Sequence, residues 1–91
     1  MAAGMEGLMG DALRHLSPEI FIFEDESHLH EGHAGNRGGG HYRILVVSAA
    51  FEDVSRVMRQ RMVKEALSGL FQAGHIHALS IRAQTPDEYF R

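Results

Sequence analysis

The feature that most restricts the fold of this sequence is a strand–helix–strand unit in its second half. Tyr42-Arg43-Ile44-Leu45-Val46-Val47-Ser48 is largely apolar at both alternate sets of positions, which predicts a central strand. From Phe51 to about Phe71 the apolar residues Val54, Val57, Met58, Met62, Val63, Ala66, Leu67, Leu70 and Phe71 form a broad stripe at helical spacing. Glu52 and Asp53 suit the positive end of that helix, and Gly74 is placed to terminate it. Ile76 to Ala83 then alternates as a strand. Two strands joined through a helix lie parallel in one sheet, with a right-handed crossover.

The first half is simpler. Met5, Leu8, Met9, Ala12, Leu13 and Leu16 follow helical spacing, and Ser17-Pro18 ends the run. Ile20-Phe21-Ile22-Phe23 is a short β-prone segment. A connection rich in His and Gly then runs from about Asp25 to Gly40, too long for a hairpin turn and of a length that often carries function. Thr85-Pro86-Asp87-Glu88 is a capping box with proline at the first helical position. The expected order is αββαβ. This is an α+β fold: a three-stranded mixed sheet with helices on one face, one domain over residues 1–91. Phe21, Phe23, Phe51, Phe71, Met58 and Met62 are its core candidates, whereas Tyr89 and Phe90 are expected to be exposed.

Composition narrows the chemistry. The chain has seven histidines and no cysteine, which excludes a disulfide scaffold and a thiolate-ligated zinc finger. Its net charge of -3 gives no global basic excess for nucleic acid. No apolar run reaches the length of a membrane span, and the N-terminus lacks signal, transit and myristoylation patterns, so a cytoplasmic location is expected. There is no nucleophile–base pair, phosphate-binding glycine motif or pair of catalytic carboxylates. The expectation is a binding adaptor, not an enzyme.

Imidazole is the commonest metal-ligating side chain, so the placement of the histidines matters. His28, His30 and His33 fall within six residues, and His77 lies in the last predicted strand. A short His-rich tract is a candidate metal site, or else a set of exposed imidazoles on a loop. Zinc held by these three alone is a weak reading, because a glycine-rich loop is not a rigid frame. By alternation His77 shares a face with Leu79 and Ile81. It is then either a buried histidine satisfied by a backbone carbonyl or a ligand at the sheet margin. His41 opens the second strand and is placed to lie close by; His15 and His75 are expected on the surface.

Several segments together resemble the BolA family, over about residues 5 to 89. They are Glu24-Asp25-Glu26-Ser27-His28, His41-Tyr42 with its strand, Val47-Ser48-x-x-Phe51, Arg59-x-Arg61, and His77-Ala78-Leu79-Ser80-Ile81. The resemblance implies a fold like a class II KH domain. It also implies partnership with a monothiol glutaredoxin, in which a [2Fe-2S] cluster is held between a glutaredoxin cysteine, a glutathione thiol and histidines of the BolA-like chain. His77 maps to one such ligand. The second is implied in the loop, where His30 or His33 is favoured over His28. No cofactor is expected in the isolated chain, which is expected to be a monomer or weak homodimer. Two positions depart from the family pattern: Asp53 stands where a glycine is usual, and Gln60 stands between the two arginines in place of histidine.

The alternative function is DNA binding in transcription control, using Arg56, Arg59, Arg61 and Lys64 of the long helix. The plainer reading of those residues is a solvated helix face with i,i+4 pairs. Gly35-Asn36-Arg37-Gly38 matches the letters of the RNA-clamping GxxG loop, but it lies between two strands and not between helices, so the match is read as accidental.

Overall fold

A computed structural model describes residues 4–27 and 40–91. Helix α1 (Met5–Ala12) passes into a 3-10 turn, Arg14–Leu16, which stops at Ser17 in the left-handed region. Strand β1 (Ile20–Asp25) pairs antiparallel with β2 (Gly40–Val47), and β2 pairs parallel with β3 (Ile76–Gln84). The sheet order is β1-β2-β3, so the α+β fold with a three-stranded mixed sheet is as expected.

The expected single helix over 51–71 is instead three pieces: a 3-10 turn at Ala49–Phe51, α2 (Arg56–Ala66) and α3 (Ser68–Gln72). Asp53 explains the late start. Its φ of 61° lies in the left-handed region, which no α-helix admits, and the Ser55 side chain then caps α2 by accepting from the Met58 N–H. The inward face of α2 is set by residues four apart. Arg59, Val63 and Leu67 are buried one turn apart, while Val57 and Met58 are 69% and 45% exposed, against the expectation that they belong to the core stripe. Glycine in the family pattern at position 53 is explained by the same backbone. Asp53→Gly is expected to raise stability by about 0.5–1 kcal/mol, read from chemical denaturation.

Met9, Leu13, Leu16, Ile44, Val46, Phe51, Val63, Leu67 and Ile76 form one buried cluster, with Phe21, Phe23, Met62 and Phe71 packed against it. Gly74, with φ 81°, ends α3 as expected, and the His75 N–H returns to the Leu70 carbonyl. The capping box opens α4 (Pro86–Phe90): Thr85 Oγ1 accepts from the Glu88 N–H, and the Glu88 carboxylate accepts from the Thr85 N–H.

Arg59 fastens the helical layer to the end of β3. Its Nε donates to the Val54 carbonyl, and Nη1 donates to the Ala83 carbonyl at 3.2 Å and to Glu88 Oε1 at 2.7 Å. Nη2 reaches Glu88 Oε2. The neighbouring Gln60 side chain donates to the Ile81 carbonyl at 2.7 Å. Two consecutive α2 residues thus cover carbonyls on the outer edge of β3, where an edge strand otherwise leaves them open.

Candidate metal centre

The paired end of β2 and β3 carries the histidines. Between Gly40 and His41 the register shifts: Gly40 is opposite Ile76, but His41 is opposite Ala78. His77 is the extra residue of this bulge. The consequence corrects the simple alternation. Ile76 and Leu79 both face the core, whereas His77 and Ala78 are both exposed. His77 therefore does not share a face with Leu79 and Ile81, and it is not a buried histidine. The same irregularity brings the ring of His77 to 4.9 Å from that of His41, centroid to centroid, with the planes 46° apart.

His41 is held from the other side by the end of β1. The Asp25 carboxylate accepts from the Ser27 N–H, forming a tight local turn. Ser27 Oγ then accepts the His41 N–H at 3.0 Å, and the Glu26 N–H donates to the His41 carbonyl at 2.8 Å. Glu26 also pairs with Arg43 at 3.4 Å. The acidic Asp25-Glu26-Ser27 segment thus fixes both backbone groups of His41. Beneath it on the core side, the Tyr42 ring lies over Gly40 and packs on Phe23, 5.3 Å away. A β-carbon at Gly40 would overlap the Tyr42 ring, so glycine is what lets the ring lie there. Burial, and next the Asp25 carboxylate, raise the Tyr42 phenol above its usual range and keep it neutral.

His77 is thus placed at the exposed sheet end with His41. His28, His30 and His33 lie outside the described residues, as does Gly35-Asn36-Arg37-Gly38. His15 and His75 are exposed, as expected. Sequence reasoning set His41 beside the site without giving it a role. The signal that finds it is the pairing register, which a one-residue bulge hides from a periodicity argument. Among the described residues no third His, Cys, Asp or Glu completes a cage.

The basic residues of α2 divide. Arg56, Arg61 and Lys64 are exposed. Arg59 is not part of an exposed basic surface, because its guanidinium is committed to Glu88 and two carbonyls. Arg56 lines a shallow groove with Arg82, between α2 and β3.

A sheet of this order, closed on one side by helices and presenting imidazoles at one end, defines a small α+β domain. The BolA-like protein profile matches residues 13–88, and the chain belongs to that family. It is 45% identical over 74 residues to BolA-like protein 1 of Mus musculus, covering 81% of this chain and 52% of that protein. SufE-like protein 1, chloroplastic/mitochondrial, of Arabidopsis thaliana is 38% identical over 81 residues, covering 82% of this chain and 22% of that protein. The chain spans about half the length of the mouse relative. Among solved structures, BolA1 from Arabidopsis thaliana superposes with a TM-score of 0.81 at 33% identity, covering 97% of this chain and 98% of that one. The BolA domain of SufE1 from the same plant gives 0.79 at 36%, covering 96% and 99%. Relatives with organelle designations mean that family membership does not carry the expected cytoplasmic location. No helix of the described residues is long and apolar enough to cross a membrane.

Proposed function

We propose that this chain is a non-enzymatic adaptor that holds a [2Fe-2S] cluster jointly with a monothiol glutaredoxin and glutathione, in iron–sulfur trafficking or in iron and redox regulation. The observation that carries the reading is the exposed imidazole of His77, set beside His41 at the open end of the sheet with no thiol anywhere in the chain. Imidazole is a good ligand for iron, but clusters are normally held by thiolates. A chain with nitrogen donors only supplies part of a cluster site, and the missing sulfur must come from a second molecule. His77 is the first ligand in this reading. His30 or His33 supplies the second, with His28 as the further candidate. The cluster is cargo: this chain binds and orients it, and histidine ligation raises its potential relative to four thiolates.

The test is to assemble the heterocomplex. The chain, a monothiol glutaredoxin, glutathione, iron and sulfide are combined, and the product is read by visible circular dichroism. A coloured one-to-one complex with a spectrum unlike that of the glutaredoxin alone is expected. A spectrum that does not respond to this chain contradicts the reading.

DNA binding is the second reading, favoured by Arg56 and Arg82 facing one groove while Arg61 and Lys64 stay exposed. It predicts duplex affinity that falls steeply between low and moderate salt, because each neutralised phosphate releases counterions. Joint replacement of Arg56, Arg61 and Lys64 by Ala is expected to flatten the salt slope by about 3. Affinity that ignores salt rules this reading out.

A further inference from the structure

We infer that the outer edge of β1 docks an extended, basic segment of a partner protein, which adds a fourth strand to the sheet along Phe21–Phe23. The site stands apart from the cluster reading, since it uses main-chain groups and carboxylates and no imidazole. In an antiparallel ladder, alternate residue pairs exchange both backbone bonds. The Glu26 N–H donates to the carbonyl of His41 opposite it, so the bonded pairs continue as Glu24/Arg43 and Ile22/Leu45. Phe21 and Phe23 fall between these pairs, and their N–H and C=O groups point away from β2. No strand lies on that side of β1, and among the described residues no hydrogen bond reaches those groups. The opposite edge of the sheet is treated differently: Gln60 covers the Ile81 carbonyl and Arg59 covers that of Ala83. An edge left open, as on β1, is a template for a further strand.

Side chains select the occupant. Phe21 and Phe23 pack on the core, so Ile22 projects from the other face of the sheet, where it is 43% exposed. An apolar residue of the incoming strand, directly opposite Ile22, covers it and contributes a cross-strand pair. Glu19 and Glu24 flank this stretch; both are exposed, and neither makes an ion pair among the described residues. Arg43, opposite Glu24 on β2, pairs with Glu26. From Met5 to Ser27 six Asp and Glu residues stand against one Arg, Arg14, which pairs with Asp11. The edge therefore attracts a strand that carries Lys or Arg. It disfavours a second copy of this chain, because pairing β1 with β1 brings together two acidic strands with no cation on either.

The experiment titrates the 15N-labelled full chain with the peptide acetyl-Ser-Thr-Lys-Thr-Val-Thr-Thr-Lys-Ser-amide, followed by amide NMR. Its Val is set opposite Ile22 and its first Lys opposite Glu24. Saturable binding is expected, with the Phe21 and Phe23 amide signals moving and gaining protection from hydrogen exchange. Methylating the backbone nitrogens of the two Thr that flank Val is expected to abolish binding. Methylating the Val nitrogen, which faces away from β1, is expected to keep it within about threefold. Replacing both Lys of the peptide by Glu is expected to abolish binding. In the chain, Ile22→Lys and Glu24→Lys are each expected to weaken it about tenfold or more. Both positions are exposed, and far-ultraviolet circular dichroism confirms that each variant is folded. Phe21 and Phe23 signals that stay still up to about 1 mM peptide overturn the inference. Equal binding by the peptide methylated at both Thr also overturns it. Sedimentation of the chain alone gives the last check: a dimer that Ile22→Lys dissociates assigns the edge to a second copy and overturns the inference too. Because no glutaredoxin, iron or sulfide is present, failure here leaves the cluster experiment standing, and failure of the cluster experiment leaves this one.

Discussion

An Arg59→Ala chain is expected to melt about 10–20 °C below the parent, corresponding to about 2–3 kcal/mol for a domain of this size. The side chain is buried, and its guanidinium satisfies Val54 and Ala83 carbonyls as well as both oxygens of Glu88. Removing it leaves a cavity, two unsatisfied carbonyls and a carboxylate without its counter-charge. Arg59→Lys is expected to recover only part of the loss, since an ammonium cannot reproduce a planar fork. Calorimetric melting of the two variants checks both statements.

The same pair sets a pH dependence. The Arg59 hydrogen bonds, and then the Thr85 N–H, pull the Glu88 carboxyl down from 4.5 to about 2. A carboxyl depressed in the folded state stabilises it fully above its unfolded value and loses that contribution as pH falls through the folded one. Glu88→Gln is therefore expected to be less stable than the parent near neutrality, with the difference shrinking between about pH 4.5 and pH 2. A difference that stays constant across that window contradicts the assignment.

The second large effect is expected on the proposed shared cluster. His77→Ala in the glutaredoxin heterocomplex is expected to abolish or reshape the visible dichroism that the parent complex gives. His77 is exposed, so its removal costs little in folding, and the loss reads ligation. His15→Ala is the control: His15 is exposed in the 3-10 turn after α1 and is expected to leave the spectrum unchanged. An unaltered spectrum in His77→Ala removes this residue from the ligand set.

The architecture was legible because periodicity and connection rules suffice for it. The apolar Tyr42–Ser48 run and the alternating Ile76–Ala83 segment read as strands, and the intervening helical stripe made them parallel neighbours. The capping box at Thr85 was legible because its four letters are the mechanism. What hid from the sequence were events of one residue. Asp53 in a left-handed conformation delays α2, and the buried face of α2 carries Arg59 with Val63, while Val57 and Met58 are exposed. One extra residue at the Gly40/His41 bulge turns His77 out of the face that alternation gives it. The His41–His77 contact follows from that register and from no local motif. The Arg59–Glu88 pair, separated by 29 residues, is equally invisible to local patterns.

The central claim, that this chain contributes nitrogen to a cluster whose sulfur ligands come from elsewhere, is tested most directly by pulsed paramagnetic resonance. The reduced heterocomplex is prepared with this chain alone carrying 15N-labelled histidine. The expected result is that strongly coupled imidazole nitrogen signals change from 14N to 15N frequencies on labelling. Spectra that show no strongly coupled nitrogen, or that ignore the label, contradict the account.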